Sequence, residues 1–226
     1  MEQKKLFNIL SFICNLFLFV AITWSVVYYF YHEDGSGNML AHGFNCFRFF
    51  TIDSNVLCGI ASGIYLYFNI LRLMGRDVVT PYWLKLFKFI ATVSVSVTFF
   101  VVLIVLAPLY SMTSDVSIWF LYEDNCFILH LMGPLMAILT LCVFEKDDII
   151  ENKKVLYFAM LTTVIYGIVY FICVVIAKAW PDFYGLTFDG RYYLSPFGAL
   201  AIFAICYGSI ELLYYLQKLS IRKLNK

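Results

Sequence analysis

Six long apolar stretches, separated by short polar runs, make up most of the chain. They fall near 8–30, 44–73, 83–107, 118–144, 155–177 and 196–217. Each is long enough to cross a hydrocarbon core, which takes about 20 apolar residues at helical rise. In lipid the backbone must satisfy its own N–H and C=O groups, so the pattern predicts helices. The expected fold is all-α: a polytopic six-helix transmembrane bundle filling 1–226 as a single domain, with no repeat or separate soluble unit. The first stretch is too long for a signal-peptide core and no small-residue cleavage site follows it. It is expected to remain as a permanent helix.

Composition agrees with this pattern. The chain is 62% hydrophobic and 14% charged, whereas soluble domains are nearer half and a quarter. A net charge of +1 gives no basic excess for nucleic acid. The basic residues are unevenly placed. With the N-terminus inside, thirteen of the sixteen (Lys4 and Lys5, Arg72 to Lys88, Lys146 to Lys154, Lys218 to Lys226) fall on the inner side. Lys178 and Arg191 fall outside, and Arg48 within the second stretch. This bias predicts that both termini are cytoplasmic. The outer connections are acidic (32–43), short (111–117) and aromatic (180–196). In the last of these Trp180, Tyr184, Tyr192 and Tyr193 suit the headgroup level, or form a lid. Asp182, Asp189 and Arg191 read as solvated loop charges. The seven cysteines show no CxxC or Cys/His metal spacing, so neither a disulfide framework nor a metal site is expected. Cys46 and Cys126 both fall near the outer side.

The polar residues inside the spans carry the candidate chemistry. "FRFFTIDSN" (47–55) places Arg48, Thr51 and Asn55, followed by Cys58 and Ser62, on one face of a helix. Ser54 lies on the flank and Asp53 points to the opposite side. In the fourth stretch His130 is the one histidine inside any span, with Pro134 a turn further in and Glu123, Asp124 and Asn125 at the polar end. Cys126 shares its face. Thr51 and His130 lie at overlapping depths of roughly 9–12 Å. Bland readings exist for each: a threonine bonded to its own carbonyl, a histidine in an interhelical hydrogen bond, an Arg48 paired with Glu123 or a headgroup. Glu211 is expected to snorkel or to pair with an inner lysine. Thr92, Ser94 and Ser96 read as helix-packing positions. Tyr166 and Tyr170 share a face that packs or lines a cavity.

A hydroxyl is a weak nucleophile without an adjacent base, and imidazole titrates in the useful range. Thr51 as nucleophile and His130 as base therefore form one hypothesis, with Asn55 and Arg48, and Ser54 beside them, holding a carboxylate or oxyanion. Asp53, Glu123, Asp124 and Cys126 are possible supporting groups, Cys126 as a competing nucleophile. A polar cleft opening outward between the second and fourth spans would admit water. A second class is a small-solute or proton-coupled transporter, in which Arg48, Asp53, Glu123, Asp124 and His130 line a path. A third is a non-catalytic lipid-binding protein.

"FRFFTIDSN" and the later intramembrane "H…P" resemble the androgen-induced and androgen-dependent TFPI-regulating protein superfamily, most of all its bacterial branch. "WPDFYGLTFDGRYY" is also similar to the loop before that branch's last span. The resemblance implies six spans and an intramembrane threonine hydrolase of fatty acid esters of hydroxy fatty acids, or similar amphiphilic esters. It places the threonine at Thr51 and the histidine at His130, and requires no metal or organic cofactor. It implies membrane lipid or a fatty-acyl ester as partner, and a bacterial plasma membrane as the location. Asp53 stands where the bacterial motif has glutamine, which bears on substrate preference.

Overall fold

The computed structural model describes residues 2–31, 43–113, 117–145, 149–188 and 190–224. Their regular structure is all helical, with no strand among them. Six helices are long and apolar enough to cross a membrane: Lys4–Tyr31, Phe50–Leu73, Tyr82–Met112, Asp124–Phe144, Lys153–Ile176 and Tyr192–Arg222, here spans one to six. The chain is a multi-pass integral membrane protein.

Span three is the most buried and touches spans two, four, five and six, while span one lies along span two. Its small residues allow this close approach. Their hydroxyls cost little in the interior because they bond locally. Thr92 donates to the Lys88 carbonyl (2.9 Å) and Ser96 to that of Thr92 (2.7 Å), and Ser94 meets Thr162 of span five at 2.9 Å. Glu211 pairs with Lys153 at 2.7 Å. Spans five and six turn Ile165, Ile168, Leu200 and Phe203 outward, as lipid-facing surfaces require.

Prolines inside two spans are absorbed by wider turns. Pro108 and Pro134 have no N–H to continue an α-helical ladder. The turns before them, 102–106 and 128–132, open to π geometry, in which Ala107 N–H reaches the Val102 carbonyl and Gly133 N–H that of Ile128.

Several boundaries differ from the hydropathy pattern. Span two starts at Phe50, not 44. Residues 43–48 form a 3-10 turn and Phe49 is extended at φ −100°, ψ 126°, so Arg48 leaves the helical ladder that carries Thr51. Span four starts at Asp124, not 118, because Ile118–Tyr122 form a separate 3-10 turn. Spans three and six run longer than expected, the first on to Met112 and the second from Tyr192 to Arg222. Lys88 is not a flanking charge. It is fully buried in span three, where its Nζ donates to Asn15 Oδ1 (2.5 Å) and Ser62 Oγ (2.9 Å) and lies 5.2 Å from the Tyr65 ring. Glu145, also buried, accepts from Asn15 (2.6 Å) and Ser11 (2.9 Å). Most of the acidic connection after span one, residues 114–116 and 146–148, and Asp189 lie outside the described residues.

Candidate functional site

Thr51 is the second residue of span two. Its Oγ1 lies 3.4 Å from Nε2 of His130, and both side chains are buried. On the far side of the ring, Nδ1 lies 2.6 Å from the Leu121 carbonyl oxygen. A carbonyl only accepts, so Nδ1 carries the ring proton and Nε2 presents its lone pair to the threonine hydroxyl. The 3-10 turn 118–122 thus sets the tautomer. It also brings the Tyr122 ring edge-on to the imidazole, 6.5 Å between centroids at 87°.

The other residues expected to serve the reaction are placed differently. Asn55 donates from Nδ2 to the carbonyls of Thr51 (2.8 Å) and Leu129 (3.1 Å). It therefore ties span two to span four at the level of the site and has no hydrogen left for an oxyanion. Ser54 bonds the Thr51 carbonyl (3.1 Å) and meets Thr98 Oγ1 (2.8 Å). Arg48 turns its guanidinium to the Trp180 ring, 6.0 Å from the centroid, and its carbonyl accepts from Tyr166 Oη at 2.6 Å. Arg48, Ser54 and Asn55 frame the backbone around Thr51 rather than presenting free donors to it. Asp53 points into a separate groove with Phe47, Tyr166 and Trp180. Glu123 and Asp124 are exposed at the start of span four, where Asp124 has φ 48°. Cys126 meets Tyr29 Oη at 3.0 Å in a buried cluster with Cys46 and Leu129. All seven cysteines are free thiols.

The structure adds a residue that spacing did not single out. Tyr184, on the connection between spans five and six, accepts the Phe50 N–H at 3.0 Å. Burial pushes its phenol up to about 12, against the pull of the Phe50 and Thr51 N–H groups, so it stays protonated and able to donate at neutral pH. Asp182 shapes this connection. Its carboxylate accepts from Tyr170 Oη (2.6 Å), Leu186 N–H (3.0 Å), and the N–H and hydroxyl of Thr187 (2.6 and 2.5 Å). Burial alone would raise its pKa, but these hydrogen bonds outweigh burial and hold it below the usual carboxylate value. Asp182 is therefore the hub of a folded loop, not a solvated charge. The aromatic, turn-rich composition was the sequence signal of this folded connection.

Thr51 also forms part of the wall of a cavity of about 410 Å³. It lies between spans three, five and six, beneath the 184–188 stretch, with Thr98, Tyr166 and Tyr184 near Thr51 and aliphatic side chains such as Val101 and Ile202 beyond. Exposed Ile104, Leu109 and Met112 line its mouth. The expectation of a polar cleft between spans two and four is corrected: the space beside Thr51 is apolar and lies on the other side of span two. Among the described residues no group of three or more His, Cys, Asp or Glu stands together as a metal cluster. Compared with family models, curated proteins and solved structures, the chain matches none of them.

Proposed function

We propose that the chain is an intramembrane lipid ester hydrolase with Thr51 as nucleophile and His130 as general base. The observation that carries this reading is the Thr51–His130 contact of 3.4 Å, with Nδ1 tethered to Leu121 and an apolar cavity at the threonine. The contact is slightly long, as catalytic hydrogen bonds often are without substrate. The motif resemblance points to the same two residues and to fatty-acyl esters.

In the reaction, Thr51 Oγ1 attacks the acyl carbonyl while Nε2 takes its proton. The tetrahedral intermediate collapses, Nε2 protonates the leaving alcohol, and the acyl group stays on Thr51. Water then attacks the acyl-threonine, giving its proton to Nε2, and the fatty acid leaves as the hydroxyl is restored. Tyr184 Oη, protonated and held one residue before the nucleophile by Phe50 N–H, is the group placed to donate to the oxyanion. The acyl chain occupies the apolar cavity. The basic residues favour cytoplasmic termini, and the motif's bacterial likeness favours a bacterial plasma membrane.

Purified, inserted Thr51→Ala should lose nearly all hydrolysis of p-nitrophenyl decanoate. Turnover at the parent rate would overturn the assignment. A transporter is the second reading, favoured by the buried Lys88–Asn15–Glu145 group inside the spans. Proton or solute flux in liposomes, with no ester hydrolysis, would decide for it.

A further inference from the structure

We propose that the groove beside Asp53, between spans two and five, binds the ammonium headgroup of a zwitterionic phospholipid. The groove encloses about 320 Å³ and is separated from the cavity at Thr51 by Phe50 and Tyr166, which belong to both walls. Its hydroxyl groups are committed. Ser54 is bonded to Thr98, Thr162 to Ser94 and the Ala159 carbonyl, and Tyr166 to the Arg48 carbonyl. The Asp53 carboxylate makes no hydrogen bond or ion pair among the described residues.

An ionisable group within a membrane span is costly and is normally partnered. Asp53 sits in the first turn of its helix, where the dipole favours a negative charge. That eases the charge without supplying a counter-ion. The nearby cation, Arg48, faces Trp180. Asp53 is half-buried and opens into the groove, so a cation from outside the chain can reach it.

The surroundings define its chemistry. One carboxylate among aromatic side chains is a poor site for a metal ion, which requires several oxygen ligands. It suits an organic ammonium, which gains from a carboxylate and from ring faces such as those of Trp180 and Tyr166. The depth also fits: Asp53 lies one turn below the start of span two, at the level where lipid headgroups meet the hydrocarbon. Beside it the groove is lined by Ile165 and Val169, both exposed on the outward side of span five, where acyl chains can lie. Arg48 stands beside Trp180 to receive the phosphate of the same headgroup.

The test does not depend on hydrolysis. Protein purified in detergent is given equimolar phosphatidylethanolamine and phosphatidylglycerol, and retained lipid is counted by native mass spectrometry. The parent protein should retain phosphatidylethanolamine in preference, and Asp53→Asn should weaken that preference about tenfold, the size of one charge-assisted hydrogen bond. Phosphatidylcholine retained as well as phosphatidylethanolamine also supports the site, since the ammonium is shared. Equal retention of the ethanolamine and glycerol lipids by the parent, or an unchanged preference in Asp53→Asn, overturns it. A phosphatidylethanolamine with a photoreactive headgroup removes dependence on the variant's folding. Crosslinks should fall at 47–53 and Trp180, and crosslinks confined to other surfaces overturn the proposal.

Discussion

At position 130 the deciding atom is Nδ1. Its partner is a neutral carbonyl, not a carboxylate, so Leu121 fixes the ring and its tautomer but does little to stabilise an imidazolium. In the proposed reaction Thr51 and His130 serve the same step, so their losses should not add. Thr51→Ala, His130→Ala and the double variant should fall to similar residual rates, and Thr51→Ser should keep part of the activity. Rates that multiply in the double variant would argue for independent roles. Tyr184→Phe keeps the ring and removes the donor. It should lower kcat by about 10²–10³ with little change in KM, the usual effect of losing one oxyanion donor. A trifluoromethyl ketone, which mimics the tetrahedral adduct, should lose affinity by a matching factor while decanoate binding holds. Because burial pushes the phenol up to about 12, the parent rate should show no phenol-linked alkaline fall below about pH 10. Acidification should lower the rate, since a protonated imidazole cannot accept the Thr51 proton.

At the scale of elements, spans two and four meet through Asn55 and Gly133. A Cβ on Gly133 would lie 2.9 Å from the Ile128 carbonyl oxygen and 3.3 Å from Asn55 Oδ1. The first contact is with backbone, so relief requires span four to shift. Gly133→Ala should destabilise the fold by roughly 1–3 kcal/mol, as overpacking does, and should slow hydrolysis by moving His130. A thermal melt and a rate read on the same sample check both. The six spans were legible in the sequence because runs of about 20 apolar residues have few other solutions. The ends were not. Hydropathy cannot see that Phe49 is extended or that 118–122 turns back, since Phe, Trp and Leu are as apolar in a 3-10 turn as in a span. Thr51 and His130 could be singled out from rare polar residues at matching depth together with the motif resemblance, and the structure brings their side chains to 3.4 Å. The roles of Arg48, Asn55 and Tyr184 were not legible, because they depend on which carbonyl or N–H each side chain meets across the bundle.

At the scale of the molecule, span two joins two polar regions. Thr51 lies at one end. Asn69 and Ser62, which contact the Ser11–Asn15–Lys88–Glu145 group, lie toward the other. Thr51 and Asn69 are about 27 Å apart at helical rise, and between them packs an apolar waist of Leu18, Ile22, Ala61 and Val95. That waist makes the two ends energetically separate. Lys88→Met would leave Asn15 Oδ1 and Ser62 buried without the donor they meet and should cost roughly 1–3 kcal/mol of stability, visible as a lowered melting temperature, with hydrolysis per folded molecule unchanged. A matched loss of hydrolysis in folded protein would mean that the ends are coupled. Spans three and six, at 31 residues each, carry a different consequence. Each is about 46 Å long, against a hydrocarbon core of about 30 Å. Part of their surplus beyond the hydropathy pattern, 108–112 and 192–195, lies at the cavity end, where Leu109, Met112 and Gly198 line the mouth. In a thin bilayer that rim stands clear among the headgroups, where an ester is found. In a thick one the rim sinks into the acyl region and the mouth meets only chains. Membrane thickness would then act as a throttle on the proposed reaction, and hydrolysis in vesicles should decline as the host lipids lengthen.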